Sequence, residues 1–254
     1  MKNGQMRNCI DYIRFTMEME GAELSAVDEE LFLDILDEKV TANECIENFK
    51  VAEGLATSYN PVANEGTFYP ETKCLVNFFN LTNKGQLRKV ELFCANARTC
   101  ELFLEEKKRA FTFEYLQEIH QAIFGDVYPS AGAVRYEEVS KRTEFCRPAN
   151  IEKMAGEIFQ KLSRDKYLTH LEDRADFIND LAFYMGEMEA LHPFRDGNGR
   201  TARFFFYSLV KNAGYNIMWG EADPNRSLEA NIAAIDGDYQ PLIDVLEELV
   251  VDNN

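Results

Sequence analysis

The chain has 254 residues, 46% of them hydrophobic, which is enough for one sizeable core and a small second module. Its 44 acidic residues outnumber the 27 basic ones and give a net charge of -17, which argues against nucleic acid and anionic membranes as partners. The six cysteines form no C-x-x-C pair, so no zinc cluster is predicted and a reducing compartment fits best.

Three short helices are predicted in the first fifty residues. The first stops at Gly21, the second follows Ser25, and the third follows Thr41, which begins a capping-box pattern. Helices this short cannot enclose a core of their own. We therefore expect residues 1–57 to form a segment that lies on a larger domain.

An irregular stretch with several Pro and Gly residues, 58–73, predicts the join to that larger domain, residues 58–254. Beyond it helical spacing dominates, except in residues 133–146, where alternating apolar positions predict a short β-hairpin. The sequence therefore predicts a mainly α fold with one hairpin. The predicted helices span 8–20, 26–38, 86–106, 112–124, 151–164, 174–191, 199–213, 228–235 and 241–250.

The chemistry-bearing segment is His192-Pro-Phe-Arg-Asp-Gly-Asn-Gly-Arg-Thr-Ala-Arg203, which stands between two apolar helices. Gly197 and Gly199 flank Asn198 directly before a helix, where backbone N–H groups and the helix dipole form a cradle for phosphate. Arg200 sits in the first turn of that helix and Arg203 three residues on, so both guanidiniums can reach an anion placed at the helix start.

Two further groups complete the set. Asp196 offers a hard oxygen ligand for Mg²⁺ beside phosphate, and the imidazole of His192 can serve as a base near neutral pH. Each piece alone is more typical of a turn or a helix cap. Together, within a dozen residues of an acidic chain, they favour a nucleotide site.

The same run resembles the signature of the Fic family, His-x-Phe-x-Asp/Glu-Gly-Asn-Gly-Arg-x-x-Arg, at every defined position. Residues 69–72, 124–135, 140–145 and 237–242 are also similar to the family, so the resemblance covers most of residues 67–250. It implies a Fic-type helical domain and a protein adenylyltransferase, which moves AMP from Mg·ATP to a Ser, Thr or Tyr hydroxyl of another protein.

The resemblance also implies roles for individual residues. His192 would be the catalytic base, Phe194 an anchor for the loop, and Asp196 the Mg²⁺ ligand. The phosphates would be held by Gly197, Asn198, Gly199, Arg200 and Arg203. The predicted hairpin resembles the family's flap, on which Lys141 would reach the nucleotide and, with Phe145, dock the target peptide. The stretch around Leu228 and Ile235 is apolar, so recognition of the base is not predicted.

An inhibitory segment is predicted at the N-terminus. Thr16, Glu20 and Gly21 fit Ser/Thr-x-x-x-Glu-Gly/Asn, which resembles the inhibitory helix of Fic proteins and of the separate antitoxins of Fic toxins. Glu20 would pair with the guanidinium of Arg203 and take the place of the γ-phosphate.

Two alternatives stay open. One is a different Fic chemistry, namely removal of AMP or transfer of UMP, phosphocholine or phosphate, and the other is a catalytically silent nucleotide-binding module. The expected partners are ATP and a protein substrate, with self-modification possible in principle and no nucleic acid or membrane. With no signal-peptide core or membrane span, we expect a cytoplasmic protein, with export through another signal as the alternative.

Overall fold

A computed structural model describes residues 3–55, 67–105, 110–139, 144–171 and 173–252. Helices dominate these residues, which confirms the predicted mainly α fold. The helices are α1 (Asn3–Met19), α2 (Ala26–Leu36), α3 (Ala42–Ala52), α4 (Lys84–Leu104), α5 (Phe113–Phe124), α6 (Ile151–Arg164), α7 (Arg174–Leu191), α8 (Asn198–Asn212), α9 (Pro224–Ile235) and α10 (Gln240–Leu249).

The helix ends follow the local signals in the sequence. The side chain of Ser25 accepts from the backbone of Asp28 to start α2, and Thr41 and Glu44 form the predicted capping box of α3. Gly21, with φ 67°, follows α1 in the left-handed conformation, as expected of a glycine that ends a helix. The start of α1 was predicted at residue 8 and lies at Asn3, in a stretch with no capping signal.

The described residues group into two compact units. One unit holds the described parts of Met1–Met17, Glu23–Lys107 and His120–Gly132. Its centre is α4, on which both α2 and α3 pack. The ring of Phe93 stacks on Phe49 at 3.9 Å and lies 5.6 Å from that of Phe32, so one aromatic side chain of α4 joins both short helices.

The other unit holds the described parts of Glu18–Ala22, Lys108–Ile119 and Ala133–Asn254. Its centre is α7, which packs against α6, α8, α9 and α10. Phe177 and Leu181 of α7 and Phe205 of α8 are fully buried, so both helices contribute to the core of this unit. The loop that joins them carries the motif.

The two-stranded sheet of the described residues lies outside the predicted hairpin. Two strands, β1 (Tyr215–Ile217) and β2 (Val250–Asp252), pair antiparallel, with Asn216 opposite Val251. Of the hairpin predicted over 133–146, residues 140–143 lie outside the described part, so the hairpin stays a prediction; 133–139 contain no strand and Glu144 is a bridge residue. Arg135 and Cys146 donate their backbone N–H groups to Pro193 and Ala190, so these two residues are bonded to the end of α7 and the loop that follows it.

No helix among the described residues is long and apolar enough to cross a membrane.

Candidate functional site

His192 lies where α7 ends and takes a left-handed backbone conformation, φ 44° and ψ 59°. Such a conformation is uncommon for a residue with a Cβ and persists only where neighbours hold it. Its N–H donates to the carbonyl of Met188 at 3.2 Å, and its carbonyl accepts from Nε of Arg135 at 2.7 Å. The backbone of His192 is therefore fixed from both sides.

Arg135 is a positioning residue that the motif does not contain. It is buried, and its guanidinium also donates to the carbonyls of Glu137 and Cys146. Burial lowers the pKa of this guanidinium below its usual value. All three of these acceptors are backbone carbonyls, so Arg135 joins two segments of the chain. The signal for it in the sequence was a lone charge after the small apolar run 131–134.

The imidazole of His192 lies against the ring of Phe145. The two rings stack with centroids 3.7 Å apart and planes 10° from parallel. The backbone N–H of Cys146 donates to Ala190 at 2.9 Å, which holds Phe145 beside the end of α7. Phe145, predicted as a flap residue, is thus in contact with the predicted base, whereas Lys141 lies outside the described residues.

The loop after His192 is closed by a pair of side-chain to backbone bonds. Oδ1 of Asn198 accepts from the N–H of Phe194 and Nδ2 donates to the carbonyl of Phe194, both at 2.8 Å. Phe194 is 1% exposed, so its ring anchors the loop in the core, as the sequence predicted. The amide of Asn198 shapes the loop, which leaves the backbone of the helix start for a ligand.

The start of α8 has the form of an anion cradle. Gly197, with φ 77°, precedes the first turn, whose N–H groups have no carbonyl within the helix to bond. A Cβ on Gly199 would lie 3.2 Å from Nη1 of Arg203, closer than side chains normally approach. Glycine at this position therefore lets the guanidinium of Arg203 fold over the helix start.

Two buried guanidiniums lie beside this cradle. Arg200 and Arg203 are 5% and 6% exposed. Oε1 of Glu20 is 3.5 Å from Nε of Arg200 and 3.9 Å from Nη2 of Arg203. The predicted partner of Glu20 was Arg203, and Arg200 is the nearer of the two. Among the described residues, Nε and Nη2 of Arg203 meet no hydrogen-bond acceptor, which is the setting in which an anionic ligand is favoured.

A cavity of about 360 Å³ gathers these groups, a volume suited to a small ligand. Predicted residues on its wall are Glu20, Phe145, His192, Asp196, Gly197, Asn198, Gly199 and Arg203. Residues that the sequence did not predict are Met19 and Glu189 and, from α9, Leu228, Asn231, Ile232 and Ile235. Of the predicted inhibitory residues, Thr16 is a buried residue of α1 and Gly21 follows that helix.

The carboxylate of Asp196 is exposed, and one of its oxygens accepts from the N–H of Gly197 at 2.8 Å. Among the described residues no three His, Cys, Asp or Glu side chains come together as a metal site. Asp196 therefore fits Mg²⁺ only as one protein ligand that shares the ion with phosphate oxygens, which is how Mg²⁺ is commonly held beside nucleotides.

Comparison with known proteins supports the family that the motif resembles. The sequence model of the Fic/DOC family matches residues 110–210. The probable protein adenylyltransferase y4lH of Sinorhizobium fredii is 31% identical over 76% of this chain and 98% of its own length. The probable protein adenylyltransferase Fic of Escherichia coli is 30% identical over 72% of this chain and 90% of its own. Protein adenylyltransferase VbhT of Bartonella schoenbuchensis is 36% identical over 66% of this chain, which covers 35% of that protein's length.

Two solved structures share the fold. BepC of Bartonella tribocorum with bound AMPPNP matches at a TM-score of 0.68 with 22% identity, over 74% of this chain and 97% of that one. The Fic domain of a Bep effector of Bartonella quintana with bound ADP matches at 0.68 with 24% identity, over 74% and 95%. The chain belongs to the Fic/DOC family, and the relatives it matches are protein adenylyltransferases, which confirms the predicted family and the class of nucleotidyltransferase.

Proposed function

We propose that this chain transfers AMP from Mg·ATP to a Ser, Thr or Tyr hydroxyl of a protein, and that Glu20 inhibits the transfer from within the same chain. One observation supports the first part most directly. The end of α7, the loop after it and α8 bring the imidazole of His192, the exposed carboxylate of Asp196 and the buried guanidinium of Arg203 to the wall of one cavity. Such a set can position a polyphosphate and stabilise the charge that develops on its leaving group.

In this reaction the target hydroxyl oxygen bonds to the α-phosphorus as the bond from that phosphorus to the pyrophosphate breaks. His192 takes the hydroxyl proton, and its fixed backbone orients the imidazole for that step. The first turn of α8 and the guanidinium of Arg203 bind the phosphates, and negative charge that builds on the leaving pyrophosphate is stabilised there. Mg²⁺, when bound at Asp196, would neutralise phosphate charge.

The position of Phe145 supports a role for the predicted flap in placing the target protein beside His192. The ring of Phe145 stacks on the imidazole of His192, and the residue belongs to the predicted flap, 133–146, which also carries Lys141. A target segment that adds beside this stretch would bring its hydroxyl to the imidazole. Strand addition of this kind binds a peptide through hydrogen bonds to its backbone, which suits a protein substrate.

The inhibitory part rests on Glu20. Its carboxylate already lies beside both guanidiniums, at the position where a terminal phosphate of ATP would compete for them. A nucleotide that cannot reach Arg203 would bind without its α-phosphorus in line for attack. The segment 1–57 would then act as a built-in antitoxin in a bacterial cytoplasm, and removal of the brake would be the activating event.

The test uses ATP labelled at the α-phosphate, with His192→Ala as the base-deficient variant. We expect the label to move to protein with the parent, and more so with Glu20→Gly. His192→Ala should lose at least about 100-fold in transfer, since a general base contributes on that order, while it still binds ATP. Transfer by His192→Ala at the parent's rate would remove the imidazole from the mechanism. Incorporation from UTP or CDP-choline but not from ATP would assign a different chemistry to the same loop.

A further inference from the structure

The start of the predicted flap is held against the catalytic loop at several points. The backbone N–H of Arg135 donates to the carbonyl of Pro193 at 2.9 Å, and its Nε donates to the carbonyl of His192 at 2.7 Å. A further contact lies two residues along both segments, where Oε2 of Glu137 is 3.2 Å from Nε of Arg195. This last contact is an ion pair between a flap residue and a loop residue.

Glu137 is held by two arginines at once. Its carbonyl accepts from Nη1 of Arg135 at 2.8 Å, while its carboxylate pairs with Arg195. The side chains of Glu137 and Arg195 are 33% and 27% exposed, and Nε of Arg195 is shielded from solvent. The pair is therefore screened less than an ion pair on the open surface, and it can hold both segments in place.

The position of this pair separates it from the groups that would bind the nucleotide. Among the residues that line the cavity in the described part of the chain, neither Glu137 nor Arg195 is included. Arg195 stands at an undefined position of the Fic signature, between the anchor Phe194 and the carboxylate of Asp196. Any effect of the pair on the reaction must therefore act through the loop that it holds.

We propose that Glu137 is a positioning residue for the transfer. Through Arg195 it fixes the start of the predicted flap to the catalytic loop, so that a target peptide docked on the flap has its hydroxyl placed at His192. The inference rests on the proposed function. Reacting atoms must lie about 3 to 3.5 Å apart, and a misplacement of about 1 Å can cost on the order of 100-fold in rate. The proposed phosphate site at the start of α8 is built from other residues, so its affinity for ATP should not depend on Glu137.

The experiment compares variants in the Glu20→Gly form. It measures the initial rate at which α-labelled ATP labels the proteins of a cell lysate, and the Kd of ATP by calorimetry. Glu137→Gln keeps the size of the side chain and removes its charge. We expect the labelling rate to fall roughly fivefold, which corresponds to about 1 kcal/mol, the upper value for such a pair, while the Kd of ATP stays unchanged.

A matched control is Glu248→Gln, which removes the same charge from a second Arg–Glu pair of the same unit, the pair with Arg226. It should keep both the labelling rate and the Kd. An unchanged labelling rate in Glu137→Gln would overturn the proposal. So would a loss of ATP affinity as large as the loss of transfer, because the residue would then act on nucleotide binding.

A double-mutant cycle shows whether Glu137 acts through Arg195. Arg195→Gln should lower the labelling rate by the same factor, and Glu137→Gln should cause no further loss once Arg195→Gln is present. A further fivefold loss would assign the effect to another contact of Glu137 and overturn the proposal. If Glu137→Gln does not fold, Arg195→Gln alone decides, and an unchanged rate in that variant overturns the proposal.

Hydrogen exchange at the backbone N–H of Arg135, measured by NMR, tests the pair without any transfer. This N–H bonds to Pro193 beside the ion pair, so Glu137→Gln should speed its exchange roughly fivefold, whereas Glu248→Gln should not. An unchanged exchange rate would overturn the proposal even if transfer falls. Absence of labelling by the Glu20→Gly form itself would refute the proposed function, and the exchange rate would still decide whether Glu137 holds the loop.

Discussion

Replacement of Glu20 by glycine tests the inhibitory contact with the fewest assumptions. The substitution removes the carboxylate whose Oε1 lies 3.5 Å from Arg200 and 3.9 Å from Arg203. Glu20 lies beyond α1, which ends at Met19, so glycine at this position does not interrupt the helix. We therefore expect loss of the charge contact with little loss of fold.

The size of the effect can be estimated from the geometry. The side chain of Glu20 is 38% exposed, so each contact is screened by solvent and is given the upper value for an exposed ion pair, about 1 kcal/mol. Two contacts give about 2 kcal/mol, the free energy by which Glu20 competes with ATP for the two guanidiniums. When Glu20 is removed, kcat/KM should therefore rise roughly 30-fold. Because the segment is tethered, its local concentration is on the order of millimolar, and even this modest contact can silence the site.

The assay is transfer of α-labelled phosphate to protein at ATP concentrations below KM. Glu20→Gln should release activity to a similar extent, because it removes the charge and keeps the length of the side chain. The matched control is Glu18→Gly, the same substitution at an exposed position of the same turn, which should leave turnover at the parent's level. Equal turnover by the parent and Glu20→Gly would refute the inhibitory contact. Equal release by Glu18→Gly would assign the effect to fraying of the helix.

Three further changes probe the site and its scaffold. Gly199→Ala places a Cβ 3.2 Å from the guanidinium of Arg203 and should weaken ATP binding roughly tenfold by calorimetry; an unchanged Kd would contradict the cradle. Arg135→Lys cannot reproduce the planar set of bonds to carbonyls and should lower kcat roughly tenfold with ATP affinity kept, whereas a change in KM alone would argue against a positioning role. Hydrogen bonding from Tyr184 lowers the pKa of Asp165 in the folded protein. The ionised carboxylate therefore stabilises the fold above about pH 4, the ordinary pKa of an aspartate in an unfolded chain, and this contribution is lost as pH falls through the folded pKa of Asp165. The difference in urea stability between the parent and Asp165→Asn should therefore narrow from pH 7 to pH 3, and a constant difference would be evidence against this account.

Local signals in the sequence were sufficient for most helix ends. Thr41 caps α3 because its hydroxyl and the carboxylate of Glu44 bond to groups three residues away, and a sequence contains that information in full. The segment 192–203 is similar, since its glycines, Arg200 and Arg203 act through the first turns of one helix. The anchoring of Phe194 follows from its apolar ring.

Contacts between residues that are far apart in the sequence could not be predicted from local sequence patterns. Arg135 reaches the carbonyl of His192 across 57 residues, and Asn231 is a routine polar residue of α9 until that helix is placed on the cavity. The strand pairing of Asn216 with Val251 is equally non-local. The backbone N–H groups of Arg135 and Cys146 bond to the carbonyls of Pro193 and Ala190, at and just beyond the end of α7, partners that no local pattern in the sequence reveals.

Transfer of AMP to protein by the site around His192, once Glu20 is removed, can be measured without knowledge of the target. Its most direct test incubates a cell lysate and ATP with purified Glu20→Gly, or with the same variant that also carries His192→Ala, and reads the modified peptides by mass spectrometry. We expect hydroxyl side chains that carry the added mass of one AMP in the first sample and none in the second. An absence of AMP-bearing peptides from both samples, or equal amounts in the two, would contradict it.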